Sequence, residues 1–280
     1  MIPVIFDTDI GSDIDDTWAL AMILKCPELE IKLIASDRDD TIYRTKLLCK
    51  LLEIAERTDI PVGMGHIQEH VYTNPRQAPW VEDYDLNAYP GTLHEDGVDA
   101  IIQAIMDAPK PLTLICVGPM PNIGKALDRE PGIAERTHFV GMHGCFRKSR
   151  RGEGAHPEAN VKNDIPACQK VFTAPWKSMV ITPQDSCSFV QLKGDHYQAV
   201  RQSDDPVLKA VMDNYDIWAR DTSHNPEIAS SILFDTVAVY LAYTTKHLVI
   251  EQMGVRVTDN GFTVADPNAQ QMDVATDWEN

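Results

Sequence analysis

Short, predominantly apolar runs alternate along this chain with segments of helical periodicity, and few architectures satisfy that alternation. The runs Val4–Phe6, Ile31–Ala35, Leu112–Cys116, His138–Met142 and Met179–Ile181 have the length and β-branched content of strands buried on both faces. Between them, helices are expected at Asp15–Leu24, Thr41–Arg57, Val98–Asp107, Asn122–Leu127 and Pro166–Val171. This order predicts an α/β fold: a mainly parallel, Rossmann-like sheet flanked by crossover helices. A chain of 280 residues can bury one sizeable core, so a single domain over residues 1–280 is expected. Further on, Asp205–Ala219 and Ser231–Tyr243 have helical patterning. The segment Val249–Val274 alternates like short strands, with a turn at Asp259-Asn260-Gly261. Two stretches lack periodicity, Gln68–Tyr89 and the basic, glycine-containing Arg147–Gly154. Both are expected to be long loops, which in compact α/β domains are commonly functional.

Charge narrows the partners. With 25 Lys+Arg against 42 Asp+Glu, the formal net charge is −17, which repels phosphate backbones and anionic membranes. Nucleic acid and membrane partners are therefore not expected, whereas a small neutral ligand or a cation fits. No run approaches the roughly 20 apolar residues of a membrane span. Met1-Ile2-Pro3 leads straight into the first apolar run without a basic leader, so a cytoplasmic location is expected. The six cysteines are scattered without a C-x-x-C pair, and buried thiols are expected in place of a zinc site or disulfides.

The chemistry concentrates directly after the first strand. Asp7-Thr8-Asp9-Ile10-Gly11-Ser12-Asp13-Ile14-Asp15-Asp16 places five carboxylates within ten residues at a strand-to-helix turn. In an open α/β sheet the carboxyl ends of the strands form the ligand crevice. Like charges crowded there are costly unless a cation joins them, and a hard divalent ion takes oxygen ligands of this kind. Asp15 and Asp16 could instead serve the first turn of a helix, which leaves Asp7, Asp9 and Asp13 without a role. An EF-hand loop beginning at Asp7 fails, because Ser12 and Trp18 stand where it needs Gly and Glu. A phosphatase of the haloacid dehalogenase type, with Asp7 as nucleophile and Mg²⁺ as cofactor, matches Asp7 and Asp9. It does not account for Gly11 two residues later or for the Asp13, Asp15 and Asp16 that follow.

With the flanking Val4-Ile5-Phe6 and Ala19-Leu20-Ala21, this cluster resembles the D-x-D-P-G-x-D-D signature of the inosine-uridine nucleoside hydrolase family, with Asp13 as an addition. Four later segments are similar to the family in order. They are Val117-Gly118-Pro119-Met120-Pro121-Asn122, Met142-His143-Gly144 at a strand end, Glu158-Ala159-Asn160 followed by Asp164, and Phe234-Asp235. The resemblance implies hydrolysis of the N-glycosidic bond of ribonucleosides with a bound Ca²⁺, Mg²⁺ being the second choice. It implies metal ligation by Asp9, Asp16, the Val117 carbonyl and Asp235, with Asp9 also the general base. Asp15, Glu158 and Asn160 would hold the sugar, Met142 would line the site, and Asp7 would support the ligands from behind. It further implies a homodimer or homotetramer.

The residue types suit that chemistry by themselves. Breaking the bond builds positive charge at C1′, which surrounding carboxylates stabilise. Departures from the family pattern fall around the leaving group and the sugar. Phe234 stands where many members have His; it cannot donate a proton, but an aromatic ring there could stack on the base, or simply be a core residue of its helix. Asp40 stands where the family has Asn in a G-N pair, and is expected to contact the ribose. A second G-N pair is absent from Arg151–Pro157. His94 loosely matches an active-site His-Gly segment, and His143 and His156 lie near pocket segments. A nucleoside- or ribose-binding protein without catalysis is the remaining alternative, suggested by the missing His.

Overall fold

The computed structural model describes residues 1–67 and 74–279. The chain runs β1 (Ile2–Thr8), α1 (Asp15–Lys25), β2 (Leu29–Ser36), α2 (Thr41–Ile54), β3 (Val62–Gly63), α3 (Ala78–Val81), β4 (Leu93–His94), α4 (Gly97–Met106), β5 (Leu112–Cys116), α5 (Pro121–Arg129) and β6 (Thr137–Met142). There follow β7 (Lys148–Ser149), β8 (Gly152–Glu153), α6 (Ala159–Asn163), α7 (Ile165–Thr173), β9 (Ser178–Thr182), α8 (Gln184–Cys187), α9 (Gly194–Arg201), α10 (Pro206–Ala219), α11 (Phe234–Leu241), β10 (Leu248–Val257), β11 (Thr263–Ala265) and β12 (Gln271–Trp278). Ten of the strands form one sheet in the order β11-β10-β12-β9-β6-β5-β1-β2-β3-β4. From β12 to β4 every pairing is parallel. The expected mainly parallel α/β sheet is the one observed.

Strand alternation divides the core. In β1, Val4 and Phe6 face one side and Ile5 the other; in β5, Ile115 faces the first side and Leu112 and Leu114 the second. Each strand is thus apolar on both faces, because helices cover both. A third apolar cluster joins α1 to α9 and α10 through Trp18, Tyr197, Val211 and Tyr215.

Three expectations change. The tail is not a set of short strands: β10 is a ten-residue strand that pairs antiparallel with β12 and extends the sheet. The described part of Gln68–Tyr89 contains α3 and a 3-10 turn at Leu86–Ala88, while residues 68–73 lie outside the described residues. The Arg147–Gly154 loop contains the hairpin β7–β8. Among the described residues no helix is long and apolar enough to cross a membrane.

Candidate active site

The carboxyl ends of β1, β5, β6 and β9 open into one cavity of about 190 Å³, whose lining includes Asp9, Asp15, Asp16, Val117, Met142, Glu158, Asn160, Phe234 and Asp235. Tertiary structure therefore brings together residues that are more than two hundred positions apart. Asp15 and Asp16 are buried in the first turn of α1, and Asp235 is buried in the first turn of α11. One carboxylate oxygen from each lies within 4.8 Å of the other two. Both helices present unpaired N–H groups and the positive end of their dipoles to these acids. Helix capping does not explain them, since the residue that caps α1 is Ile14, which makes no side-chain bond.

Crowding leaves these groups under-compensated. Burial first, then the charges of Asp13 and Asp16, push Asp15 well above the usual carboxylate range. Burial and Asp9 do the same to Asp16, although Thr8 Oγ1 donates to it. Burial and the charges of Asp15, Asp16 and Asp9 raise Asp235. Among the described residues no Lys or Arg forms an ion pair with the trio, whose only donors are oxygens. That is the environment a hard divalent cation relieves. The residues fit such an ion.

Asp9 lies on the loop after β1 and is held from two sides. Its carboxylate is 3.7 Å from Arg38 Nη1, which also reaches Asp39 at 3.0 Å by Nε. Burial raises Asp9, opposed by Arg44 and Arg38. The backbone around it is clamped by Arg44, a fully buried guanidinium. Arg44 donates to the carbonyls of Asp9, Ile10 (2.7 Å) and Arg38 (3.1 Å), to Ser12 Oγ (3.0 Å) and to Asp39 Oδ2 (2.9 Å). It joins the β1–α1 turn to the β2–α2 turn, where Arg38 and Asp39 both have left-handed backbone at φ 51° and 54°. Conformations of that kind cost roughly 1–3 kcal/mol each, and the Arg44 bonds hold them. Replacing Arg44 by Met leaves Asp39 with Arg38 alone and strips the carbonyls of Asp9, Ile10 and Arg38 of their donor, and is expected to cost about 3–5 kcal/mol, read as a lowered urea midpoint. Gly118 packs closely on Asp9: a Cβ there would stand 3.1 Å from Asp9 Oδ1 and 3.2 Å from Asp37 Oδ2, so either carboxylate would have to give by a few tenths of an ångström.

The opposite wall is built on α6. Glu158 caps that helix, accepting from Asn160 N (2.8 Å), Val161 N (3.2 Å) and Gly144 N (3.1 Å). Burial outweighs these bonds and pushes its carboxyl up to about 7. Asn160 Nδ2 donates to the carbonyls of Val117 (2.9 Å) and Met142 (3.0 Å). Phe234, half-buried at the start of α11, both lines the cavity and packs on the core.

Two residues expected at the sugar do not line the cavity. Asp40 is exposed and caps α2 by accepting from Tyr43 N, after the chain has turned at Arg38 and Asp39. The cavity residue of this segment is Arg38. His94 lies in β4 at the edge of the sheet, three strands beyond β1, and does not line the cavity. Asp7 is fully buried on the α5 side of β1, where alternation places it with Ile5. Its Oδ2 accepts from Asn122 Nδ2 at 2.9 Å, and burial pushes its carboxyl up to about 7. Asp37, missed in the sequence, accepts from Met120 N and Asn122 N and thereby holds the start of α5. Its position one residue past the end of β2 was the available signal.

His143 is fully buried and does not line the cavity; its Nε2 is 2.9 Å from the Gly118 carbonyl, and burial lowers it to about 4. A folded value below the ordinary 6.5 means that the unfolded chain binds the extra proton first. The stability this supplies is complete above pH 6.5 and is lost as pH falls through 4, about 3 kcal/mol in all. His143→Gln is expected to flatten the stability profile between those limits, measured by urea unfolding at several pH values.

Residues 4–280 match the inosine-uridine preferring nucleoside hydrolase family. Uridine nucleosidase 1 of Arabidopsis thaliana is 27% identical over 183 residues, covering 61% of this chain and 53% of that protein. The non-specific ribonucleoside hydrolase RihC of Klebsiella pneumoniae is 29% identical over 180 residues, covering 61% of this chain and 58% of that protein. The chain thus spans little more than half the length of these curated relatives. In fold it is similar to a plant nucleoside hydrolase, with a TM-score of 0.81 at 22% identity over 98% of this chain and 93% of that one. A purine-preferring ribonucleoside hydrolase from Gardnerella vaginalis gives 0.78 at 22% identity over 99% and 93%. With the family match running from Val4 onward and the acidic cavity on the matching fold, this chain belongs to the inosine-uridine preferring nucleoside hydrolase family.

Proposed function

We propose that the chain hydrolyses the N-glycosidic bond of ribonucleosides, releasing ribose and the free nucleobase. The observation that carries this is a cavity with three mutually adjacent carboxylates on one side and Glu158 with Asn160 on the other. Its volume is below the roughly 300–1,000 Å³ of pockets that enclose drug-sized ligands, so it suits a sugar whose base projects toward the opening.

The trio and Asp9 surround the sugar with negative charge that stabilises positive charge developing at C1′. Asp9 takes a proton from the attacking water, whose oxygen forms the new bond to C1′ while the C1′–N bond breaks and its electron pair leaves with the base, which takes a proton from solvent as Asp9 returns its own to water. One direct displacement gives inversion at C1′. Asp15 accepts from a ribose hydroxyl, Glu158 and Asn160 position the rest of the ring, and Phe234 stacks on the base as it leaves. A divalent cation, Ca²⁺ before Mg²⁺, would be held by Asp16 and Asp235 of the trio together with Asp9 and the Val117 carbonyl, which line the same cavity, with Asp15 left to the sugar; it would polarise water and draw in two sugar hydroxyls. A homodimer or homotetramer goes with this reading through the family resemblance.

A phosphatase reading needs Asp7 as nucleophile, and Asp7 is buried against Asn122 away from the cavity. Release of reducing sugar from inosine, guanosine, adenosine, uridine and cytidine tests the hydrolase directly, with phosphate esters as the control. A purine-restricted profile supports stacking at Phe234. Equal or better pyrimidine turnover removes that role, and nucleoside binding without any turnover would leave a binding protein.

A further inference from the structure

Beside the carboxylates, the cavity is served by a chain of hydrogen bonds that no role above uses. Gln184, the first residue of α8 and about nine-tenths buried, lines the cavity on its β9 side. Its Oε1 lies 2.9 Å from His156 Nε2, and His156 Nδ1 lies 3.3 Å from Cys145 Sγ. An amide oxygen only accepts, so Nε2 carries the ring proton, Nδ1 is an acceptor, and the thiol is the donor it needs. Cys145 is fully buried, and burial pushes its thiol up to about 11, so it keeps that proton. The thiol also faces the Lys148 and Gly154 carbonyls at 3.5 and 3.9 Å, and His156 Nδ1 at 3.3 Å is the nearest of its acceptors; donation then runs from Cys145 to His156 to Gln184, and the Gln184 amide N–H groups are left for the cavity. The reverse orientation would add a carbonyl oxygen to a cavity already lined by the carboxyl oxygens of Asp9, Asp15, Asp16, Glu158 and Asp235 and would leave it without an amide donor.

We propose that Gln184 is a specificity-determining donor to the 5′-oxygen of the ribose, and that His156 and Cys145 are positioning residues that fix its amide. This rests on the hydrolase reading. In that reading the two ring hydroxyls are taken at the trio. The ring oxygen must lend electron density to C1′ as the bond breaks, so a donor placed there would oppose the reaction. Asn160 spends its amide N–H groups on the Val117 and Met142 carbonyls and the Glu158 carboxylate takes a sugar O–H as an acceptor, so the 5′-oxygen is the sugar acceptor that remains for a donor.

The test compares turnover and calorimetric affinity for a ribonucleoside and its 5′-deoxy counterpart, in the wild type and in five variants. Gln184→Met and Gln184→Glu are expected to lose about five- to tenfold in kcat/KM on the parent nucleoside, mainly through KM. They should lose nothing on the 5′-deoxy compound. His156→Ala and Cys145→Ala should show a smaller loss with the same disappearance, and Cys145→Ser should restore wild-type values, because its hydroxyl donates the same bond. Equal losses on both compounds, in variants that unfold at the wild-type temperature, overturn the proposal. So does a wild type that turns over both compounds equally well, with the hydrolase reading intact. A wild type that neither binds nor cleaves any nucleoside defeats that reading and this proposal with it.

Discussion

Asp9→Asn is expected to lower kcat for nucleoside hydrolysis by roughly 10³-fold, within the 10²–10⁴ that a positioned general base supplies, while the protein stays folded. The amide preserves the shape of a side chain held between Arg38 and the close approach of Gly118, but it cannot take a proton from water. The substitution also removes one negative charge from a crowded cluster, so the unfolding temperature should hold or rise. Steady-state kinetics with a thermal scan separates the two effects. A variant that keeps turnover within threefold of wild type would exclude Asp9 as the base. Unchanged turnover alongside weakened binding would assign it to the sugar instead.

Removing divalent cations is expected to produce the other large change. The trio is buried, its members repel one another, and no Lys or Arg among the described residues pairs with them. An ion that polarises water is worth several kcal/mol in the transition state, so chelation should cut activity by at least about 10³-fold. Added Ca²⁺ should restore it more fully than Mg²⁺. Binding to the folded form alone should also stabilise it by about 2.7 kcal/mol at a hundredfold excess over Kd, roughly 5 °C in Tm for a domain of this size. Asp235→Ala should abolish both the activity and the calcium-dependent rise in Tm. Full activity after exhaustive chelation, with no thermal response to calcium, would refute the metal reading.

Much of the sheet was legible in the chain because strands buried on both faces carry short unbroken apolar runs, as β1 does at Val4–Phe6, β5 at Leu114–Cys116 and β9 at Met179–Ile181. The tail was harder. Residues in β10 that face solvent break the apolar run, and the antiparallel return to β12 depends on a partner strand that no local pattern names. The acidic turn announced the site for the same reason it is chemically active: so many like charges at one strand end require a partner. Asp40 and His94 show where local pattern stopped being informative. Two left-handed residues swing the chain so that Arg38, not Asp40, enters the cavity. His94 belongs to an edge strand whose distance from β1 is set by sheet order.

Local sequence alone determined the α/β alternation and the first cluster of acids, since both follow from residue type and spacing within one or two elements. Which acids share a space was decided only by tertiary structure. Strand alternation sends Asp7 to the α5 face, α11 brings Asp235 to within 4.8 Å of Asp15 and Asp16, and the Arg44 clamp sets the loop that carries Asp9. The physical reason is that charge and hydrogen-bond energies depend on separation in space, and residues distant in sequence acquire a separation only when the sheet order has been chosen.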